Sequence, residues 1–244
     1  MDKTLYRKIY NDTFFKNGPL SILLNSNFFA RKGLFKHISK NKEYIHGDVL
    51  DFGCGSKPYQ DIFNYKNYVG VDTNGAHPHQ KESVDVLYDG KQLPFQGQKF
   101  DTVFSSQVFE HVEDIDFSLD EIYRILRPGG VLFFTMPFVG AEHEIPQDFR
   151  RLTSYGVDRL IKKHGFSILK IEKIGSYPET LSQLFISYIF EFSPKNKILR
   201  TIFTLVVVAP LNIFLFLICA ILPKKNILFL DLLCIAEKRR KELD

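Results

Sequence analysis

Apolar and polar positions change rhythm along this chain. In the first 47 residues the apolar side chains recur at helical spacing: Leu5, Tyr6, Ile9 and Tyr10 with Lys3, Arg7 and Lys8 between them, then Phe28, Phe29, Leu34, Phe35 and Ile38 with Arg31, Lys32 and Lys36 between them. Two amphipathic helices are predicted, broken apart at Asn17-Gly18-Pro19. From residue 48 the rhythm shortens to apolar runs that end in an acid or a polar residue. Val49-Leu50 leads to Asp51, residues 68–71 to Asp72, residues 84–88 to Asp89-Gly90 and residues 102–106 to Gln107. Residues 131–136 form a nearly continuous apolar run, as expected of a strand buried on both faces of a parallel sheet. A helix over 117–126 ends at Arg127-Pro128-Gly129-Gly130, because proline cannot continue it and glycine accommodates the turn out. Another helix follows over 153–165 and a sixth strand over 166–174.

Strands and helices alternating with short connections predict an α/β fold, a Rossmann-like, doubly wound, mostly parallel seven-stranded sheet with helices on both faces. The last strand, 227–236, comes only after about 50 residues rich in apolar side chains. The expected organisation is an N-terminal helical cap (1–47), a core (48–178), an apolar helical insertion (179–225), and a last strand with a basic tail (226–244).

Within the insertion, residues 202–222 carry no formal charge, and at 1.5 Å per residue such a run is long enough to cross a bilayer core of about 30 Å. A single crossing would strand the last strand on the far side. Lys195, Lys197 and Arg200 before the run and Lys224 and Lys225 after it favour one face for both ends. Pro210 and Asn212 lie near the middle, so the helix is expected to break there and turn back. Two arms of about 18 Å each would make a re-entrant or in-plane membrane anchor. The competing reading is a buried helical hairpin at a homodimer interface.

Composition narrows the function classes. With 45% hydrophobic and 25% charged residues, the chain can bury a full core. Cys54, Cys219 and Cys234 are odd in number and lack metal-ligand spacing, which speaks against a disulfide framework or a zinc site and for a reducing cytoplasm. The first ten residues are charged and do not read as a signal peptide. Net charge is +4, with nine Lys/Arg against three acids in the first 47 residues. That asymmetry suggests an anionic membrane surface rather than nucleic acid, for which no recognition module is present. The expected location is the cytoplasmic face of a membrane. His77-Pro78-His79 has no third ligand at suitable spacing and reads as a solvated loop, so no metal is assigned.

The densest chemistry is in residues 49–59, VLDFGCGSKPY. Asp51 ends a strand, and Gly53 and Gly55 supply the positive backbone angles of a tight turn. Pro58 follows, in position to open a helix whose N-H groups bind polar ligands. A dinucleotide fingerprint would place a third glycine where Pro58 stands. Asp72, 17 residues beyond Gly55, lies where a doubly wound fold puts the carboxylate that binds ribose hydroxyls.

Together the motifs are specific: D-x-G-x-G (51–55), V-D (71–72), D-x-x-x-L-P-F (89–95), F-D-x-V (100–103), E-H-V (110–112), E-I-x-R-x-L-R-P-G-G (121–130) and G-F (165–166). This set resembles the small-molecule branch of the class I S-adenosylmethionine (SAM) methyltransferases over residues 48–174. The resemblance implies SAM as cofactor. It implies that Asp51, Gly53 and Gly55 contact the methionine portion, Asp72 the ribose, and Asp89 with Gly90 the adenine, with Gln107 near the sulfonium. Cys54 fills a position often cysteine in that branch and also reads as a small residue in a tight turn.

Residues 137–153, P-F-x-x-x-x-H-x-x-P-x-D-F-R-R-L-T, resemble methyltransferases that accompany surface-polysaccharide and glycan assembly. A sugar or lipid-linked sugar hydroxyl is therefore the expected acceptor, and a quinone or other isoprenoid lipid the alternative. A third reading is a SAM-binding, non-catalytic subunit at the membrane. A hydroxyl stays protonated at neutral pH and needs a base. His143 is the preferred candidate, with His111 and Asp148 beside it. His111 also reads as a cap or packing residue beneath the cofactor. For Arg150 and Arg151, an anionic acceptor group and an ion pair with Asp148 are both open.

Overall fold

The computed structural model describes residues 3–73 and 83–240, so His77-Pro78-His79 lies outside the described residues. The chain divides into two compact units, one of residues 40–173 and 232–244, the other of 1–39 and 174–231.

The first unit is built on a mixed seven-stranded sheet. Its strands are β1 (Asp48–Phe52), β2 (Asn67–Thr73), β3 (Val86–Tyr88), β4 (Phe100–Ser106), β5 (Leu126–Pro137), β6 (Phe166–Ile174) and β7 (Asp231–Lys238), in the order β3-β2-β1-β4-β5-β7-β6. The expected fold class is met. β1 pairs in parallel with β2 on one side and β4 on the other, with Asp51 opposite Gly70 and Phe104. Connections wind outward in opposite directions from β1 and β4. Their carboxyl ends therefore flank the crevice where ligands of open sheets bind. The apolar run of β7 is buried between β5 and β6, as its composition requires.

The flanking helices start where local chemistry supplies a cap. Asp114 accepts from Phe117 N-H at the start of Ile115–Ile125, and Thr153 accepts from Gly156 N-H at the start of Ser154–Lys163. Leu119, Ile122 and Ile125 on the first, and Val157 and Ile161 on the second, are buried. The helix expected to open at Pro58 shrinks to one 3-10 turn, Gln60–Ile62. Both Gly55 (φ 47°) and Lys57 (φ 52°) are left-handed, which keeps the connection out of helical conformation.

The second unit is helical. It contains α1 (Lys3–Phe14), α2 (Ser21–Leu24), α3 (Phe28–Lys40) and α6 (Tyr177–Phe190), with Ile115–Ile125 and Ser154–Lys163 taken as α4 and α5. A long helix follows as α7 (Lys197–Phe203), a π turn (Thr204–Val208) and α8 (Ala209–Ile221). Phe28, Phe29, Ile186, Val208, Cys219 and Leu230 form its core. Two buried amides fasten the later helices to the earlier ones. Gln183 Oε1 accepts from Phe29 N-H at 3.1 Å while its Nε2 donates to Ser26 O at 2.8 Å. Asn212 Nδ2 donates to Ile22 O at 2.9 Å and Asn25 O at 3.1 Å.

The reversal expected at Pro210 and Asn212 does not form. Ala209 N-H bonds to Thr204 O, five residues back, and this widened turn absorbs the irregularity proline brings. Asn212 is buried by its bonds to α2 and its flank instead of turning the chain. Helix therefore runs unbroken from Lys197 to Ile221, 25 residues long and apolar enough to cross a bilayer by length and composition. Much of it is bare: Ile198, Val206, Phe214, Leu217 and Ile221 are all more than half exposed.

Candidate active site

One side of the crevice lies at the ends of β1 and β2 and is shaped largely by backbone geometry. Gly53 has φ 70°, and a Cβ there would lie 2.4 Å from Val108 Cγ2, so only glycine fits. Gly55 N-H donates to Asp72 Oδ2 at 2.9 Å, and Thr73 N-H to Asp72 Oδ1 at 2.8 Å. These bonds aim the Asp72 carboxylate and leave it lone pairs for a diol. Asp51 is buried at the end of β1 and accepts from the Tyr68 hydroxyl at 2.6 Å. Burial pushes its carboxyl up to about 7, against the stabilising effects of Tyr68 and Lys57. Among the described residues nothing lies within 4 Å of where a Cβ of Gly90 (φ 82°) would stand, and Asp89 Oδ1 accepts from Lys91 N-H at 3.0 Å, closing the turn beside it.

Lys57 and Asp85 are the residues on this side that sequence reasoning missed. They form an ion pair, and Asp85 also accepts from Gly70 N-H at 2.7 Å, bracing the turn against β2. A Cβ on Gly70 would meet Lys57 Cε at 2.2 Å, which explains the glycine. Cys54 is buried and its thiol is pushed up by burial and neighbouring carboxylates, so it packs and does not react.

The other side of the crevice lies at the ends of β4 and β5 and is built from side chains. Gln107 has φ 59°, unusual for a residue with a side chain, and its N-H donates to Thr135 O at 2.9 Å while Nε2 reaches Thr135 Oγ1 at 3.3 Å. His111 and His143 meet edge to face, with ring centroids 4.7 Å apart. His111 Nδ1 lies 2.6 Å from Gln147 O, and a carbonyl only accepts, so Nδ1 carries the proton. The lone pair is then on Nε2, which faces Glu110 Oε1 at 3.7 Å and Glu144 Oε2 at 3.9 Å.

Two arginines hold the loop. Arg151 pairs with both oxygens of Asp148, Nη2 reaching Oδ2 at 2.7 Å, and holds that carboxyl down at about 2. Asp148 also accepts from His143 N-H at 3.1 Å, so it positions the loop and stays ionised at neutral pH. Arg150 donates to Phe109 O at 2.6 Å, to Val112 O and to Glu113 O at 2.8 Å, binding the β4 turn to the loop. Both guanidinium groups are engaged within the protein, Arg150 on carbonyls and Arg151 on Asp148. The residues of this side could be named from the sequence, but not their partners, because the loop contacts join residues about 30 to 40 positions apart.

A family model described as methyltransferase domain matches residues 50–134. Among curated proteins, the sterol 24-C-methyltransferase of Pneumocystis carinii is 27% identical over 80% of this chain and 57% of its own length. The ubiquinone biosynthesis O-methyltransferase of Chelativorans is 34% identical over 35% of this chain and 38% of its own length. The chain spans about half the length of the curated relatives it matches. Of solved structures, the [4+2]-cyclase SpnF aligns with a TM-score of 0.56 at 17% identity, over 97% of this chain and 94% of its own. Phosphoethanolamine N-methyltransferase 2 of Haemonchus contortus, solved with SAM, aligns with a TM-score of 0.55 at 18% identity, over 98% of this chain and 58% of its own. These likenesses establish the fold. Residues 50–134 are thus similar to a methyltransferase domain, and a neighbour of the same fold was solved with SAM. The site suits that cofactor: carboxylates at two adjacent strand ends can accept from an ammonium and a ribose, and the open space beside Gly90 leaves room for a base.

Proposed function

We propose that the protein transfers the SAM methyl group to a hydroxyl of a small acceptor carried by a lipid, with a lipid-linked sugar as the preferred class. The observation that carries this reading is the cluster of Glu110, His111 and His143 at the ends of β4 and β5, across the crevice from the glycine turn. SAM supplies an already activated methyl group, so the protein has to align the acceptor, exclude water and remove a proton. Asp51, Gly53, Gly55 and Asp72 hold the cofactor, Asp89 and Gly90 border its base, and Gln107 borders the reacting centre. The hydroxyl loses its proton at the imidazole pair, where His143 is the more open ring and His111 is fixed in one tautomer. Asp148 positions His143 through its backbone.

The helical unit supports a lipid-borne acceptor. Its exposed apolar side chains, an apolar groove of about 500 Å³ along α6 and α8, and flanking Lys195, Lys197, Arg200, Lys224 and Lys225 suit an anionic bilayer at the cytoplasmic face. A second copy of the chain is the competing occupant of that face. A quinone or isoprenoid phenol is the second acceptor reading, favoured by the ubiquinone-pathway relative. The third reading, a SAM-binding subunit without turnover, has the SpnF likeness as a reminder that this fold also occurs in a cyclase. In a methyl-transfer assay, His143→Ala is expected to lower turnover by about two to four orders of magnitude with SAM affinity nearly unchanged. Normal turnover in that variant would remove His143 from the proton step.

A further inference from the structure

The imidazole pair has more donors around it than a simple base requires. Glu110, His111 and His143 each offer a ligand atom, and these atoms all lie within 4.8 Å of one another. The separation from His111 Nε2 to Glu110 Oε1, 3.7 Å, is too long for a hydrogen bond. It matches two donors bound to one cation, since ligand bonds of about 2.0 to 2.2 Å put neighbouring donors roughly 3 to 4 Å apart. His111 donates Nδ1-H to Gln147 O, the outer bond that commits a metal-binding histidine to its other nitrogen. Glu110 is fully buried, so its carboxylate is held in place beforehand and does not swing into solvent. His143 is anchored by its own N-H on Asp148, whose charge is matched by Arg151.

We infer that Glu110, His111 and His143 bind one divalent transition-metal cation. Two imidazoles with a carboxylate are a donor set for zinc, manganese or iron rather than for calcium or magnesium. The buried Glu110 carboxylate would offset part of the cation's charge. The open side, toward the half-exposed His143, leaves a coordination position for an acceptor oxygen. A hydroxyl bound there becomes more acidic: its O-H bond breaks, the proton leaves to solvent, and the electron pair stays on the oxygen that accepts the methyl group. This inference rests on the methyl-transfer reading for its role, though not for the binding itself. With the cation bound, the histidines would serve as its ligands and the cation would acidify the hydroxyl; without it the imidazole pair is left as the base.

The test uses the full-length, tag-free protein, stripped with a chelator and dialysed against Zn2+. One bound Zn2+ per chain is expected, and His111→Ala and His143→Ala should each weaken binding by at least about tenfold. Co2+ in place of Zn2+ should give visible d-d absorption that both variants lose. S-adenosylhomocysteine binding should be the same with and without metal, which also reports that each variant is folded. Failure of the parent to bind a stoichiometric cation, or undiminished binding by both variants, overturns the site. A stripped protein that methylates at the full rate overturns the cation's role in the reaction. Loss of S-adenosylhomocysteine binding in the parent would count against the methyl-transfer reading and leave the cation measurement standing.

Discussion

The two sides of the crevice are made differently. At the ends of β1 and β2 the groups that face a ligand are placed by backbone geometry: a glycine with φ 70°, an N-H aimed at Asp72, a carboxyl at a strand end. At the ends of β4 and β5 they are placed by side chains that reach across about 30 to 40 residues, such as Arg150 on the carbonyls of 109, 112 and 113. Backbone placement serves a ligand that never changes. Side-chain placement in a loop leaves room to suit an acceptor. The comparison predicts that substitutions on the first side damage folding or cofactor binding, and that those on the second damage turnover.

The strongest attempt to break that contrast is Gly53→Val. A side chain at this angle, with Val108 2.4 Å from its first carbon, should cost about 3 kcal/mol or more and abolish S-adenosylhomocysteine binding. Thermal unfolding and calorimetry on the same sample read both effects. A variant that melts and binds like the parent would mean the turn is not the cofactor cradle.

Asp51 sharpens the comparison through pH. Its carboxyl titrates near 7 in the folded protein and near 4 when unfolded, so the folded state binds the proton more tightly. The resulting stability is fully present below about pH 4 and is lost as pH rises through 7, an effect of the order of a few kcal/mol. The melting temperature of ligand-free protein should therefore fall between pH 5 and 8 by more than that of Asp51→Asn. Parallel profiles would mean the carboxyl is not held protonated by burial. Asp72→Ala should have a smaller effect, weakening S-adenosylhomocysteine by about 1.5 to 3 kcal/mol through loss of a charged acceptor for ribose. Calorimetry showing unchanged affinity would move the ribose elsewhere.

The same contrast explains what was legible in the sequence. Strand ends followed by Asp51, Asp72 and Asp89 could be read directly, since the period of apolar residues and the glycine spacing are local signals. The fold class and the seven-stranded sheet followed from the alternation of elements, whereas the strand order, with β7 between β5 and β6, came only from the structure. Lys57 and Asp85 could not be read, because 28 residues separate partners that meet only when β1 and β2 pair. Pro210 misled for a related reason. Its local tendency to end a helix is real, but the π turn before it and the buried bonds of Asn212 outweigh that tendency. Arg150 and Arg151 looked alike in sequence and separated in the structure into a carbonyl clamp and an ion pair.

The central claim is methyl transfer to a lipid-borne hydroxyl, and one incubation tests it most directly. Purified protein is mixed with SAM labelled in the methyl group and a crude lipid-glycan extract, and the label is followed into the organic-solvent fraction. Label should enter a lipid-borne product with the parent protein and fall to background with His143→Ala at the same cofactor occupancy. Parent protein that binds the cofactor but leaves the label on SAM in every fraction would contradict the claim and favour the non-catalytic subunit.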